Sequence, residues 1–132
     1  MTRQELCQKA VEMLSRAYVP YSHFPVGAAL ECSDGTVFTG CNVENAAYGP
    51  SNCAERTAVF KAVSEGYRSF RRIAITADSD AFCPPCGVCR QVLQEFAPDL
   101  EVILVNRRGE TKRLTLRELL PYSFGSSNLE EK

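Results

Sequence analysis

The sequence predicts an α/β fold in which one mixed sheet lies between helices. Predicted helices and strands alternate along the chain, Ser33-Asp34-Gly35 separates two β-prone runs, and Val102-Ile103-Leu104-Val105 is continuously apolar. An unbroken apolar run is typical of a strand covered on both faces. Alternating elements favour a sheet covered by helices. The length of 132 residues fits a single domain over residues 1–132.

The first third of the chain predicts a helix and a hairpin. Thr2-Arg3-Gln4-Glu5 has the form of a capping box, and apolar residues then recur at helical spacing, which predicts a helix over 3–18. Residues 26–32 and 36–42 are β-prone and flank the Asp-Gly turn. We therefore expect an antiparallel hairpin.

The middle of the chain predicts two helices separated by a strand. Asn52 is a candidate N-cap for a helix that runs to Glu65 and ends at Gly66. Residues 72–77 predict a strand. Residues 86–96 predict a second helix that stops before Pro98.

The last part predicts strands at 102–105 and 111–114. Thr115-Leu116-Arg117-Glu118 repeats the capping-box pattern and predicts a final helix. Residues 126–132 have no apolar periodicity, and we expect a loose tail there.

Composition narrows the class of protein. The chain has seven cysteines, and its N-terminal region lacks the apolar core of a signal peptide, which predicts reduced thiols in the cytoplasm. No apolar run is long enough to span a membrane. The net charge is −1 and the basic residues form isolated pairs beside acids, so we expect no nucleic-acid partner.

Two cysteine motifs predict a catalytic metal site. Cys53-Ala54-Glu55 and the later Pro85-Cys86-Gly87-Val88-Cys89 supply three thiolates and one carboxylate. Three protein ligands are typical of catalytic Zn²⁺, because the fourth position is left for water, whereas structural zinc is usually closed by four. Cys83 leaves open a different ligand pair or a closed four-cysteine site.

The residues beside the first cysteine suit proton transfer. Glu55 lies two positions after Cys53, where it can carry a proton between water and substrate without binding the metal. Arg56 can offset thiolate charge and donate hydrogen bonds to sulfur. The alternatives are a capping box in which Glu55 reaches back to the helix start, and a redox role for the Cys-x-x-Cys pair.

The two motifs together resemble the zinc signature of the small cytidine deaminases. The matching segments are Cys53-Ala54-Glu55-Arg56-Thr57, Pro85-Cys86-Gly87-Val88-Cys89-Arg90-Gln91, Pro20-Tyr21-Ser22, Phe24-Pro25-Val26-Gly27-Ala28-Ala29-Leu30, Gly40-Cys41-Asn42-Val43-Glu44-Asn45-Ala46 and Glu118-Leu119-Leu120-Pro121. The resemblance implies a three-layer α/β/α fold with a five-stranded mixed sheet. Its all-cysteine ligand set is similar to that of the homotetrameric branch.

The resemblance also implies a substrate site. Asn42 and Glu44 would hold the ribose 3′-hydroxyl, and Phe24 would pack on the pyrimidine beside Ala54. Phe124 would come from a neighbouring subunit, so that the active sites lie at subunit interfaces. The resemblance further implies that Ala46 and Tyr48 approach the ribose from another chain.

The implied reaction is hydrolytic deamination of cytidine and deoxycytidine in pyrimidine salvage, with one Zn²⁺ per subunit and no organic cofactor. Glu55 would carry the protons, and Cys53, Cys86 and Cys89 would bind the metal. Three alternatives remain open from the residues: a deaminase of another aminopyrimidine nucleoside such as an antibiotic, a structural zinc module that binds a partner through a site closed by Cys83, and polynucleotide editing.

Overall fold

The computed structural model describes residues 1–130, which contain five α-helices and five β-strands. The helices are α1 (Arg3–Glu12), α2 (Ala54–Ser64), α3 (Gly87–Phe96), α4 (Leu116–Leu119) and α5 (Ser126–Glu130). The strands are β1 (Val26–Cys32), β2 (Val37–Cys41), β3 (Phe70–Ala77), β4 (Glu101–Val105) and β5 (Thr111–Thr115). Among these residues, no helix combines the length and the apolar character needed to cross a membrane.

The strands form one mixed sheet in the order β2-β1-β3-β4-β5. β3 and β4 pair in parallel, and the other neighbours pair antiparallel. The parallel pair is joined by the crossover through α3, because parallel strands need a long connection. The predicted mixed sheet is confirmed.

Alternate residues of the central strands face opposite layers. Leu30, Ile73 and Ile75 belong to a core shared with α2 and α3. Ala29 and Ala74 belong to a second core that includes Leu6, Ala10 and Ile103. The sheet is therefore buried between α1 on one face and α2 with α3 on the other.

Gly40 lets α2 lie directly against β2. A Cβ atom at this position would lie 2.3 Å from the carbonyl oxygen of Ala54 and 2.6 Å from the backbone nitrogen of Ala58. Any side chain would displace the first turns of α2. This close contact fixes the helix end at which the first cysteine motif lies.

Three predictions about elements are corrected. The first helix ends at Glu12, and a tighter 3₁₀ turn over Met13–Arg16 follows, as is common at helix ends. Helix α2 begins one residue later than expected, with Cys53 rather than Asn52 as N-cap. Residues 126–130 are helical rather than loose, and residues 131 and 132 lie outside the described part of the chain.

Candidate active site

The N-termini of α2 and α3 bring three thiols together. Cys53 is the N-cap of α2, Cys86 is the N-cap of α3, and Cys89 lies in the first turn of α3. The three Sγ atoms lie within 4.8 Å of one another, and those of Cys53 and Cys86 are 3.9 Å apart. Neither N-cap side chain forms a capping hydrogen bond with the backbone of its helix, so neither sulfur is occupied in capping.

This three-thiol site has the dimensions of a zinc site. Ligands at 2.3 Å in a tetrahedron lie about 3.8 Å apart, which matches the Cys53–Cys86 separation. Cys89 is buried, Cys53 is half-buried and Cys86 is exposed, so the site is reached from one side. Cys83 lies outside the group and packs against the hydrophobic core.

Arg56 and the two helix ends place positive charge beside the sulfurs. The Nη2 atom of Arg56 donates to Cys53 Sγ at 3.2 Å. Its Nε atom is buried and has no hydrogen-bond partner in the described structure. Helix N-termini add partial positive charge. A buried, unpaired donor suits the excess negative charge of three thiolates on Zn²⁺.

The thiols share protons unequally. The hydrogen bond between Cys53 and the Cys89 thiol, with a smaller effect of Arg56, lowers the pKa of Cys53 to about 5 against the opposing effect of burial. The same contact raises the pKa of Cys89. Cys53 therefore becomes a thiolate, the form that binds metal, more readily than Cys89.

Glu55 is a buried carboxyl group in the first turn of α2. Its residue is only 4% exposed. Burial raises its pKa to about 7, and the nearby Cys53 thiolate adds to the rise. The capping box proposed for this segment is not formed among the described residues, because the Asn52 amide instead donates to Thr57 Oγ1 at 3.1 Å. A carboxyl group with this pKa can both accept and donate a proton near neutrality.

Asn42 lies at the end of β2 and anchors the start of β1. Its Oδ1 atom accepts from the backbone nitrogen of Val26, and its Nδ2 atom donates to the carbonyl oxygen of Phe24, both at 2.9 Å. An amide group offers two donors and two acceptor positions. One N–H and one lone pair of Asn42 remain for another partner.

Glu44 is held by the loop that precedes Phe24. Its Oε1 atom accepts from the backbone nitrogens of Tyr21 and Ser22, both at 3.1 Å, and its Oε2 atom accepts from the Ser22 hydroxyl. These hydrogen bonds, led by that from the Ser22 hydroxyl, lower the pKa of Glu44. A cavity of about 380 Å³ opens beside it. The residues lining this cavity are Tyr21, Ser22, Glu44, Tyr48 and Ser51.

A short backbone bridge joins the Glu44 region to the three-thiol site. Val43 and Asn52 exchange backbone hydrogen bonds of 3.0 and 2.9 Å. Glu44 directly follows Val43, and Cys53 directly follows Asn52. The bridge therefore holds the backbones of Glu44 and Cys53 close to each other.

The remaining predicted residues lie around this framework. Ala46 and Tyr48 lie in the exposed turn between the bridged segments, and Tyr48 has a left-handed φ of 55°. Ala54 is fully buried next to Cys53. The Phe124 ring is 57% exposed, and its carbonyl oxygen accepts from Gln91 Nε2 of α3 at 2.9 Å.

Two contacts at the site were not predicted from the sequence. One is the bonding of Glu44 by Tyr21 and Ser22. The other is the Arg90 side chain, whose Nε atom donates to the Pro85 carbonyl at 2.7 Å and whose Nη1 atom donates to the Leu119 carbonyl at 2.8 Å. Tyr21, Ser22 and Arg90 all lie in segments that resemble the deaminase motifs, and this resemblance was the available signal.

The fold and the site define the class of zinc-binding deaminases, and the comparisons with known proteins agree. The family model described as "Cytidine and deoxycytidylate deaminase zinc-binding region" matches residues 1–105. The chain belongs to this cytidine and deoxycytidylate deaminase family. The predicted family and its zinc dependence are confirmed.

Individual relatives match the chain over almost its whole length. Cytidine deaminase of Halalkalibacterium halodurans is 50% identical over 132 residues, covering 99% of this chain and 100% of that protein. Cytidine deaminase of Sporosarcina psychrophila is 48% identical over 130 residues, covering 98% and 96%. The crystal structure of cytidine deaminase from Burkholderia pseudomallei matches with a TM-score of 0.91 at 49% identity, covering 94% and 100%. The predicted fold class is confirmed.

Proposed function

We propose that this protein hydrolyses cytidine and deoxycytidine to uridine and deoxyuridine with release of ammonia. The observation that carries the proposal is the buried Glu55 carboxyl group beside three thiols that fit one Zn²⁺. The relatives that match the whole chain at about half identity are cytidine deaminases, which favours this substrate over an antibiotic nucleoside.

The site residues account for the proton transfers. Zn²⁺ held by Cys53, Cys86 and Cys89 would supply Lewis acidity that brings the pKa of a water molecule toward neutrality. Glu55 takes a proton from the attacking water and delivers it to N3 of the pyrimidine as the water oxygen adds to C4. Glu55 then transfers the second water proton to the amino group, the C4–N bond breaks, and ammonia leaves.

The sugar is recognised by Asn42 and Glu44. Asn42 has one N–H left to donate, and Glu44 has acceptor capacity left on Oε2, because an ionised carboxylate offers about four acceptor positions. A hydroxyl group donates one hydrogen and accepts another. These two residues together therefore suit the ribose 3′-hydroxyl, with the 42% exposed ring of Phe24 packing on the base.

A homotetramer with active sites at its subunit interfaces completes the proposal. The strongly exposed aromatic rings of Tyr48 and Phe124 support it, because large exposed apolar groups near a site are typical of contact surfaces. We place the enzyme in the cytoplasm, in pyrimidine salvage and without a nucleic-acid or membrane partner. Seven free cysteines suit a reducing compartment.

A substrate panel on protein of known metal content tests the function. Protein with one zinc per chain is incubated with cytidine, deoxycytidine, a single-stranded oligonucleotide and an aminopyrimidine nucleoside antibiotic. We expect loss of cytidine absorbance and one ammonia per uridine formed. Zinc without turnover would instead indicate a structural metal module. Preferred turnover of the oligonucleotide or the antibiotic would reassign the substrate.

A further inference from the structure

The hydroxyl of Ser22 connects the two residues proposed to hold opposite ends of the nucleoside. It donates to Glu44 Oε2 and accepts from the backbone nitrogen of Phe24 at 3.1 Å. The Ser22 hydroxyl therefore links the Glu44 carboxylate, which is proposed to bind the sugar, to the backbone of Phe24, whose ring is proposed to pack on the base. Ser22 itself is exposed and lines the cavity beside Glu44.

The loop around Ser22 is held in one conformation. His23 has a left-handed φ of 57°, which is uncommon for a residue other than glycine, and its backbone nitrogen donates to the Val19 carbonyl at 3.0 Å. Tyr18 exchanges backbone hydrogen bonds with the Asn42 and Glu44 segment at 3.0 and 2.9 Å. The backbone thus places Ser22 against Glu44.

The Ser22 hydroxyl also restricts rotation of the Glu44 carboxylate group. Both backbone donors bond Oε1, so within residues 1–130 the Ser22 hydroxyl is the hydrogen-bond donor that fixes Oε2. Without it, the carboxylate can rotate about the Oε1 contacts, and Oε2 no longer has one fixed direction toward a sugar hydroxyl.

We propose that Ser22 is a positioning residue that sets the selectivity of this enzyme for a nucleoside with a 3′-hydroxyl. It acts through Glu44 and does not touch the reacting atoms. The inference rests on the proposed function, because it assigns the 3′-hydroxyl to Glu44.

The test compares cytidine with 3′-deoxycytidine for the zinc-loaded wild type and Ser22→Ala. We expect Ser22→Ala to raise KM for cytidine about tenfold, the size of one charge-assisted hydrogen bond, with kcat within about twofold. The decrease in kcat/KM for 3′-deoxycytidine should be small, because this nucleoside already lacks the 3′-hydroxyl that Glu44 recognises. The ratio of kcat/KM between the two nucleosides therefore falls about tenfold.

Two further variants separate positioning from general stability. Ser22→Thr keeps a hydroxyl and should restore most of the ratio. Ser33→Ala removes another exposed loop hydroxyl, one that contacts Ser69 at 2.6 Å, and should leave the ratio unchanged.

The outcomes are distinct. An unchanged ratio in Ser22→Ala, or equal losses on both nucleosides, would overturn the role of Ser22. A wild type that turns over both nucleosides equally well would overturn this inference and leave the proposed deamination intact. A zinc-loaded wild type without turnover on cytidine would overturn both.

Discussion

Glu55 combines near-complete burial with a pKa near 7, so its protonation state can change during turnover. In Glu55→Gln we expect kcat to fall by about 10²- to 10⁴-fold, because the amide cannot carry a proton. The zinc content should stay at one per chain, because the three thiols are unchanged. Steady-state kinetics and elemental analysis of the same sample measure both.

The matched control is Glu65→Gln, at the exposed end of α2, which should keep full activity. Near-normal turnover in Glu55→Gln would refute the assigned role of this carboxyl group.

At the residue scale, the grouping of the three cysteines could be predicted and the hydrogen bonds that hold Glu44 could not. Cys86 and Cys89 are close in sequence, and helical spacing alone brings them to one turn. The contact between Ser22 and Glu44 joins residues 22 positions apart. It depends on how the loop before β1 meets the end of β2, which no local pattern specifies.

At the scale of elements, Gly40 controls the position of α2. In Gly40→Ala the added carbon would meet backbone atoms of Ala54 and Ala58, and we expect a loss of about 1–3 kcal/mol of stability from overpacking. Zinc affinity should fall as well, because Cys53 caps the displaced helix. Thermal unfolding and chelator competition measure the two effects.

Gly49→Ala is the control for this substitution. The nearest atom to its Cβ would be the Ala47 carbonyl oxygen at an ordinary 3.8 Å, so the melting temperature should be unchanged. A Gly40→Ala protein with wild-type stability and zinc affinity would contradict the argument.

A buried ion pair joins β1 to β3. Glu31 is fully buried, and Arg72 Nη2 bonds its Oε2 at 3.4 Å while Arg72 Nε contacts Oε1. We expect Arg72→Met to lower the free energy of unfolding by about 3–5 kcal/mol, because it leaves the buried carboxylate with only the more distant Met1 amino group, 3.9 Å from Oε2, as a charged partner among the described residues. Chemical denaturation measures the change.

Replacing the exposed neighbour in Arg71→Met should change stability by no more than about 0.5 kcal/mol. The double variant Glu31→Gln with Arg72→Met should recover part of the loss. A single variant as stable as the wild type would show that the pair contributes no stability.

Element prediction succeeded where local chemistry specifies the structure. The hairpin turns at Gly35, which has φ of 94°, and α2 ends before Gly66, which has φ of 95°. The helix at 126–130 was missed because its residues are polar and lack periodicity. It is stabilised instead by Asn128, whose Oδ1 atom accepts from the Gly125 backbone nitrogen at 2.8 Å.

At the scale of the whole molecule, the exposed Phe124 ring allows a test of the proposed assembly. Subunits carrying Glu55→Gln and subunits carrying Phe124→Ala should each be weakly active alone. In mixed tetramers, a site can combine Glu55 of one subunit with Phe124 of its neighbour, so activity should exceed that of both parents. Co-expression with two affinity tags and tandem purification provides the mixed species.

Activity equal to the mean of the parents would show that Phe124 acts within its own subunit or not at all. Matched tetramers that carry the same substitution under both tags control for effects of tagging and purification.

The Val43–Asn52 bridge closes residues 44–51 into a separate surface loop. Lengthening such a closed loop has a small entropic cost, about 0.6 kcal/mol for each doubling of its length. Insertions between the two bridging residues can therefore accumulate without moving Cys53. Under the proposed role of Glu44, changes in this loop would alter sugar preference while the three-thiol site stays the same.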